Sequence, residues 1–213
     1  MPRVRRELLD AAAAVGDADP AMRAVIDDIG PPDLRRGRPR ANHFAELARA
    51  VCFQQLAGAA ARTIHGRFVA LFGDDEPNPE AVLALSVEAL RGAGLSGAKT
   101  ASIRDLAEKV LGGDVELNRL ARLSDARIVE ELILVRGIGR WTAEMFMMFQ
   151  LGRLDVWPVD DLGVRKGYAV IHGLGDAPRA RDLEPLGDPY RPYRSVAAWY
   201  CWRAIDTIVP EPT

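Results

Sequence analysis

The sequence predicts an all-α protein, and three observations lead to this fold class. Apolar residues repeat with the period of a helix, so that they fall on one face of each predicted helix. Alanine is abundant, and alternating runs of β-branched residues, which are typical of strands, are scarce. We therefore expect roughly ten short helices and no sheet of consequence. The apolar faces are formed by Ile64, Phe68, Leu71 and Phe72, by Ile103, Leu106 and Val110, and by Ile128, Leu132 and Val135.

Residues that favour helix ends mark the boundaries of these helices. Ser86, Ser96 and Ser124 each precede a helical pattern, which is typical of an N-cap, and an acidic residue lies in the first turn after Ser86 and after Ser124. Glycine favours the left-handed conformation found after a helix. The predicted stops are Gly73, Gly92, Gly112–Gly113 and Gly173. No segment rich in proline, glycine and charge is long enough for a free linker, so we expect lobes that share an interface. These segments are residues 30–40, 73–79 and 176–192.

Composition limits the possible classes of protein. The 213 residues are 48% hydrophobic, which is enough for one core or two small lobes. The formal net charge is −2, so a nucleic acid would have to bind a local basic patch. The N-terminus lacks an apolar region typical of a signal peptide, and no apolar run approaches the roughly 18 residues of a membrane span. We expect a soluble, cytoplasmic protein.

Cysteine and histidine residues are too few and too scattered for a familiar metal centre. Cys52 and Cys201 exclude a zinc site with four cysteines and a cysteine-ligated iron–sulfur cluster. They suggest reduced thiols, although a disulfide between them stays possible. His43, His65 and His172 lack the spacing of metal ligands, and we interpret them as surface or capping residues.

The most informative segment is Gly137-Ile138-Gly139, between two predicted helices. Two glycines around one aliphatic residue permit a very tight turn, which leaves the N–H groups of the next helix accessible to an anion such as a phosphodiester. This pattern alone is more often an ordinary connection with a glycine C-cap. The second helix is expected to begin near Arg140, and its apolar side to contain Met145, Phe146, Met148 and Phe149.

Two acidic residues follow at the start of another predicted helix. Asp160 and Asp161 precede a helical pattern that passes through Val164, Tyr168 and Ile171. An aspartate at this position is most often only an N-cap. Its combination with the glycine turn upstream is much less common.

Together, the two segments resemble a known family. LVRGIGRWTAEMF and WPVDDLGVRK resemble the helix–hairpin–helix motif and the aspartate signature of the DNA glycosylase superfamily, and within it the DNA-3-methyladenine glycosylase II (AlkA-type) branch. Further matches extend the resemblance over roughly residues 30–205. They are PPDLRRGRPR, FQQLA, GLS with Lys99, and RPYRS.

The resemblance implies a helix–hairpin–helix glycosylase fold, with the active site in a cleft between two helical lobes. The chain would be one glycosylase unit: lobe A comprises approximately residues 1–41 and 156–213, and lobe B residues 42–155 with the hairpin at 133–149. The family's bacterial prototype has an additional N-terminal β-containing domain, so we expect the compact form here. The implied activity is hydrolytic removal of alkylated purines, such as 3-methyladenine, from double-stranded DNA by a monomer.

Asp161 is the predicted catalytic residue, because it aligns with the family's catalytic aspartate. A fixed carboxylate stabilises the positive charge that develops on the sugar when an N-glycosidic bond breaks. Asp160 is the competitor, and we interpret it as a helix cap or a solvated residue.

The resemblance also implies how DNA is bound. Aromatic and apolar side chains would enclose the flipped base. Phe146 and Tyr200 are further aromatic candidates, and for Phe146 we favour a core position. Met145 departs from the aromatic residue expected there. The predicted pocket comprises Trp141, Met145, Trp202 and Leu162.

Other residues are assigned to the DNA backbone, a cation and a wedge. Gly137, Ile138, Gly139, Arg140 and Thr142 would contact the backbone. The carbonyls of Ile133, Val135 and Ile138 would hold a structural sodium or potassium ion, and no other cofactor is expected. The wedge that fills the gap in the duplex would be one of Gln55, Leu56 and Ala57, although a core position for Leu56 is nearly as plausible. The remaining basic candidates are Arg36, Arg38, Arg40, Arg165 and Lys166.

The glycosylase is expected to be monofunctional. Bifunctional relatives attack the sugar with a lysine just after the hairpin glycines, where this chain has Arg140-Trp141-Thr142. Two other classes stay open: a non-catalytic DNA-binding module that uses only the hairpin, and a helical interaction protein with no nucleic-acid role.

Overall fold

A computed structural model describes residues 3–34, 42–56 and 58–208, and in this part of the chain it contains twelve α-helices and no strand. The all-α prediction is therefore confirmed. By its contacts the chain divides into two compact units: unit 1 comprises residues 1–36 and 152–213, and unit 2 comprises residues 37–151. None of the described helices combines the length and apolarity needed to cross a membrane.

Unit 1 contains five of the helices. Its core includes the fully buried side chains of Val164, Tyr200 and Cys201. A 3₁₀ segment at Pro185–Tyr190 precedes the last helix. The helices are α1 (Arg3–Ala18), α2 (Pro20–Ile29), α10 (Leu162–Ile171), α11 (Ala180–Leu183) and α12 (Arg194–Ile208).

Unit 2 contains the other seven helices. Phe68, Ile103 and Leu132 of its core are completely inaccessible to solvent, as their helical spacing predicts. A short 3₁₀ segment, Leu120–Arg122, precedes the eighth helix. The helices are α3 (His43–Phe53), α4 (Gly58–Ala70), α5 (Pro79–Ala84), α6 (Val87–Gly92), α7 (Gly97–Gly112), α8 (Asp125–Leu132) and α9 (Arg140–Met145).

The predicted helix ends agree well with the structure. The hydroxyl groups of Ser86, Ser96 and Ser124 accept hydrogen bonds from the first turns of α6, α7 and α8. Gly113 follows α7 with φ +83°, in the left-handed region that glycine favours. These ends depend only on neighbouring residues, which is why the sequence predicts them.

The second hairpin helix is the element in which the prediction is partly wrong. It begins at Arg140 as expected, but α9 ends at Met145 and continues as a π-helical turn over Phe146–Gln150. A π turn contains an extra residue, so it rotates the following side chains away from the face of a regular helix. Met147 is consequently buried, and Phe149, expected on the apolar side, is 40% exposed.

Candidate active site and nucleic-acid interface

The hairpin of unit 2 turns at its two glycines. Gly137 has φ +75°, and the backbone of Gly139 is extended before α9 begins. A Cβ atom on Gly137 would also collide with the hydroxyl of Ser102 on α7. Glycine is thus required at position 137 both by conformation and by space.

Two contacts from other parts of unit 2 hold the hairpin. The backbone N–H of Arg136 donates to Oδ2 of Asp105 on α7 at 2.7 Å. Nε2 of Gln54 donates to the carbonyl oxygen of Gly137 at 2.9 Å and lies 3.3 Å from Oγ1 of Thr142. Nothing local in the sequence marks Asp105 or Gln54 for this role, because the partner of each is distant in the sequence.

The expected DNA-contacting residues of the hairpin differ in exposure. The side chains of Ile138 and Thr142 are buried, so only their main-chain groups are available to a phosphate. The side chain of Arg140 is 63% exposed, and its Nε lies 2.9 Å from Oε1 of Glu144. An incoming phosphate would compete with Glu144 for this guanidinium.

The wedge candidates lie in the turn after α3, and we call residues 54–56 the wedge loop. Gln55 has φ +56°, which is uncommon for a residue other than glycine. Leu56 is 38% exposed, so the core interpretation of this leucine is wrong. Ala57 lies outside the described residues, as do the basic candidates Arg36, Arg38 and Arg40.

The candidate cation ligands are main-chain carbonyls of the hairpin. Ile133 is exposed. The carbonyl oxygen of Val135 accepts the N–H of Ile138 at 3.1 Å, and the second lone pair of this oxygen is available to a cation. Three neutral carbonyl oxygens suit a sodium or potassium ion. In the described part of the chain, no three His, Cys, Asp or Glu side chains are grouped so that they could hold a metal.

Asp161 of unit 1 is the N-cap of α10. Its Oδ1 accepts the backbone N–H of Val164 at 2.9 Å and the indole N–H of Trp202 at 2.9 Å. Of the two interpretations of Asp160, a helix cap or a solvated residue, the second agrees with the structure, because Asp161 is the cap and Asp160 is exposed. Two N–H donors on one oxygen fix the orientation of the Asp161 carboxylate.

Two glycines of α10 allow Trp202 to reach Asp161. A Cβ atom on Gly167 would lie 1.9 Å from the carbonyl oxygen of Cys201, so the backbones of α10 and α12 are in direct contact. A Cβ atom on Gly163 would lie 2.7 Å from Cδ1 of Trp202. Neither glycine is marked by the local sequence, because each is needed only for contact with a helix formed much later in the chain.

The predicted base-pocket residues fall into both units. Leu162 is 53% exposed beside Asp161, and Trp202 is half-buried. In unit 2, Trp141 is 43% exposed and Met145 is half-buried. The exposure of Trp141 agrees with the preference for a site residue over a core residue.

The other two aromatic candidates belong to the core. Phe146 is buried, as expected. Tyr200 is completely buried and its hydroxyl donates to the carbonyl oxygen of Gly30 at 2.9 Å. Burial raises the pKa of Tyr200 to about 12.

Of the two cysteines and the basic candidates on α10, only Lys166 has an exposed side chain. Cys52 and Cys201 are both buried free thiols, and burial raises the pKa of Cys52 to about 11. A thiol with such a pKa is protonated and unreactive at neutral pH. Nε of Arg165 donates to the carbonyl oxygen of Pro178 at 2.6 Å, whereas Lys166 is exposed on α10.

The helical architecture, the glycine hairpin and the helix-capping aspartate define a helix–hairpin–helix DNA-repair protein. The family model for "HhH-GPD superfamily base excision DNA repair protein" matches residues 48–190. The chain belongs to this superfamily.

Similar proteins are known from sequence and from structure. DNA-3-methyladenine glycosylase 1 of Schizosaccharomyces pombe is 34% identical over 187 residues, covering 87% of this chain and 82% of that protein. A DNA-3-methyladenine glycosidase from Bacillus halodurans superposes with a TM-score of 0.85 and 36% identity, over 94% of this chain and 91% of the other. The S. pombe 3-methyladenine DNA glycosylase in complex with abasic DNA gives a TM-score of 0.83 at 32% identity, over 92% and 97% of the two chains.

Proposed function

We propose that this protein removes alkylated purines of the 3-methyladenine type from double-stranded DNA by hydrolysis and leaves an abasic site. The main support is the carboxylate of Asp161, which Val164 and Trp202 hold in one orientation. The names of the similar proteins support the same substrate class. A module that only grips the DNA backbone needs neither a fixed carboxylate nor an indole beside it.

The proposed chemistry needs a single negative charge at the sugar. As the N-glycosidic bond breaks, the deoxyribose ring gains positive charge, which the Asp161 carboxylate stabilises. A purine that is alkylated on a ring nitrogen is already cationic and leaves without a strong general acid. The purine leaves as a neutral base, and water near Asp161 attacks the C1′ carbon of the sugar and releases a proton to solvent.

DNA binding is assigned to unit 2. Main-chain N–H groups at Gly137–Gly139 would approach a phosphate, and Arg140 would add positive charge. Sodium or potassium bound by the carbonyls of Ile133, Val135 and Ile138 would supply a further positive charge. Leu56 would fill the space that the flipped nucleotide leaves. The protein would act as a monomer in the cytoplasm.

Base release from methylated duplex DNA, resolved by chromatography, tests the proposal. We expect free 3-methyladenine or 7-methylguanine, and strand breaks only after alkali or heat. Borohydride should trap no covalent protein–DNA adduct, because Arg140, Trp141 and Thr142, and no lysine, directly follow the hairpin glycines. An adduct that disappeared in Lys166→Ala would contradict the monofunctional mechanism, and binding without base release would favour a non-catalytic module.

A further inference from the structure

Gln54 connects the wedge loop to the hairpin. It is the C-cap residue of α3, directly before Gln55 and Leu56. Its amide donates at 2.9 Å to the carbonyl oxygen of Gly137, at the tip of the hairpin. The same nitrogen lies 3.3 Å from Oγ1 of Thr142, in the first turn of α9.

The end of α3, directly before the wedge loop, is also held by α7. Nζ of Lys99 donates to the carbonyl oxygen of Cys52 at 2.8 Å, near the C-terminus of α3. Burial of Lys99 lowers its pKa, but a positive charge at this end of a helix is favourable. Gln55 nevertheless adopts φ +56°, and such a conformation persists only when its surroundings enforce it.

The hairpin end of this connection is itself fixed. Asp105 holds the N–H of Arg136, and Ser102 occupies the space beside Gly137. The carbonyl oxygen that Gln54 contacts therefore has a defined position relative to α7. The amide of Gln54 transmits that position to the residues of the wedge loop.

We propose that Gln54 is a positioning residue that fixes the wedge loop relative to the hairpin, so that Leu56 enters the duplex at the nucleotide which the hairpin's phosphate contact selects. This inference rests on the proposed function. The side chain of Gln54 acts through Leu56 and need not touch the base. Its effect is therefore confined to the energy needed to flip a nucleotide out of a paired, stacked duplex.

Single-turnover base excision on two substrates tests this role. One substrate has the alkylated purine in a fully paired duplex, and the other has the same lesion in an unpaired bubble, where flipping requires little energy. We expect Gln54→Ala to slow excision about tenfold in the duplex, the size of a lost hydrogen-bonded connection, and less than about twofold in the bubble. Gln54→Glu keeps the size of the side chain but removes its N–H donor, so it should behave in the same way. Leu56→Ala should give the same dependence on substrate.

Gln150→Ala is the matched control. Gln150 is also a half-buried glutamine of unit 2, and its amide contacts His43 at the start of α3 at 3.2 Å, at the opposite end of α3 from the wedge loop. Its removal should leave the ratio of the duplex and bubble rates unchanged. An equal loss of the excision rate on both substrates in Gln54→Glu would show that Gln54 is only structural. Unchanged rates in both Gln54 variants would show that the contact with the hairpin has no role. Either result overturns the proposal.

A binding measurement separates failure of this inference from failure of the proposed function. If the wild-type protein released no base from either substrate, the proposed function would be wrong. The position of the wedge would then be measured with 2-aminopurine next to an abasic-site analogue, since its fluorescence increases on unstacking. We expect an increase with wild-type protein that falls at least about threefold in Gln54→Ala and Gln54→Glu at saturating protein. An undiminished increase would overturn the inference.

Discussion

Unit 1 contains two aspartates with the same local structure, Asp19 and Asp161. Asp19 is the N-cap of α2, where its Oδ1 accepts the N–H of Ala21 at 2.9 Å. Asp161 is the N-cap of α10, where its Oδ1 accepts the N–H of Val164 at 2.9 Å. Each also accepts a hydrogen bond from an aromatic side chain.

The surroundings of the two carboxylates differ. Oδ2 of Asp19 accepts the hydroxyl of Tyr190 and lies 2.8 Å from Nε2 of His172, whose ring stacks on Tyr168. Burial alone would raise the pKa of Asp19, but the hydrogen bonds from Tyr190 and His172 outweigh it, so the pKa is lowered. Asp161 instead lies between the exposed residues Asp160 and Leu162.

The comparison shows that a capping aspartate does not by itself indicate a function. The same hydrogen bond to a helix N-terminus occurs where Tyr190 and His172 occupy the other oxygen of a half-buried carboxylate and where the flanking residues of the carboxylate are exposed. The exposed neighbours of Asp161 leave its carboxylate accessible to a substrate. Replacing both residues by asparagine, which caps a helix as well as aspartate does, separates charge from capping.

The largest effect is expected for Asp161→Asn. Asparagine can still accept from Val164 and Trp202 through its amide oxygen, so we expect the fold and the affinity for abasic DNA to be retained. Loss of the charge should slow single-turnover base excision by about 10²-fold or more. Asp160→Asn is the control, and a loss of activity there instead of at position 161 would mean that the catalytic residue is misassigned by one position.

Asp19→Asn should have the opposite profile. The hydroxyl of Tyr190 and Nε2 of His172 would lose a charged acceptor, which should lower the free energy of unfolding by about 2 kcal/mol. The excision rate of the folded protein should stay within about twofold of the wild-type value, since the charge at Asp161 is unchanged. Urea denaturation and single-turnover kinetics measure the two quantities. A stable variant with slow excision would show that Asp19 contributes to the site.

Acid pH should reduce the difference between wild type and Asp19→Asn. The pKa of Asp19 in the folded state is below its ordinary value of 3.8, so the carboxylate stabilises the fold above that pH. This contribution is lost as the pH falls through the folded-state pKa. Thermal melting at pH values from 7 down to about 2 should show the two proteins converging, by about 1.4 kcal/mol for each unit by which the pKa is lowered. A constant difference would mean that the charge of Asp19 does not stabilise the fold.

The smallest effect is expected for Trp202→Phe. Phenylalanine keeps an aromatic face but has no N–H donor, so Asp161 loses one of the two bonds to its Oδ1 while its charge remains. We expect excision to slow about fivefold, corresponding to roughly 1 kcal/mol, the net contribution of a typical hydrogen bond. Tyr200→Phe is the matched control on α12, because its hydroxyl contacts Gly30 and not Asp161. Equal effects of the two substitutions would place the role of Trp202 in packing.

The sequence by itself determined what depends on neighbouring residues. The helical period predicted the all-α fold, and serine caps at positions 86, 96 and 124 predicted helix starts. The glycines of the hairpin and the aspartate at position 161 identified the family, which the comparisons confirmed. Periodicity, capping and turn conformation are local properties of the chain, so they are visible in one segment at a time.

Only the tertiary structure decided which side chains meet across long distances in the sequence. Trp202 reaches Asp161 because Gly167 lets the backbones of α10 and α12 touch. The amide of Gln54 reaches Gly137, 83 positions later in the chain. The π turn after Met145 likewise rotates Phe149 out of its predicted face. Such contacts depend on how closely distant segments pack, and no local pattern of residue types specifies that distance.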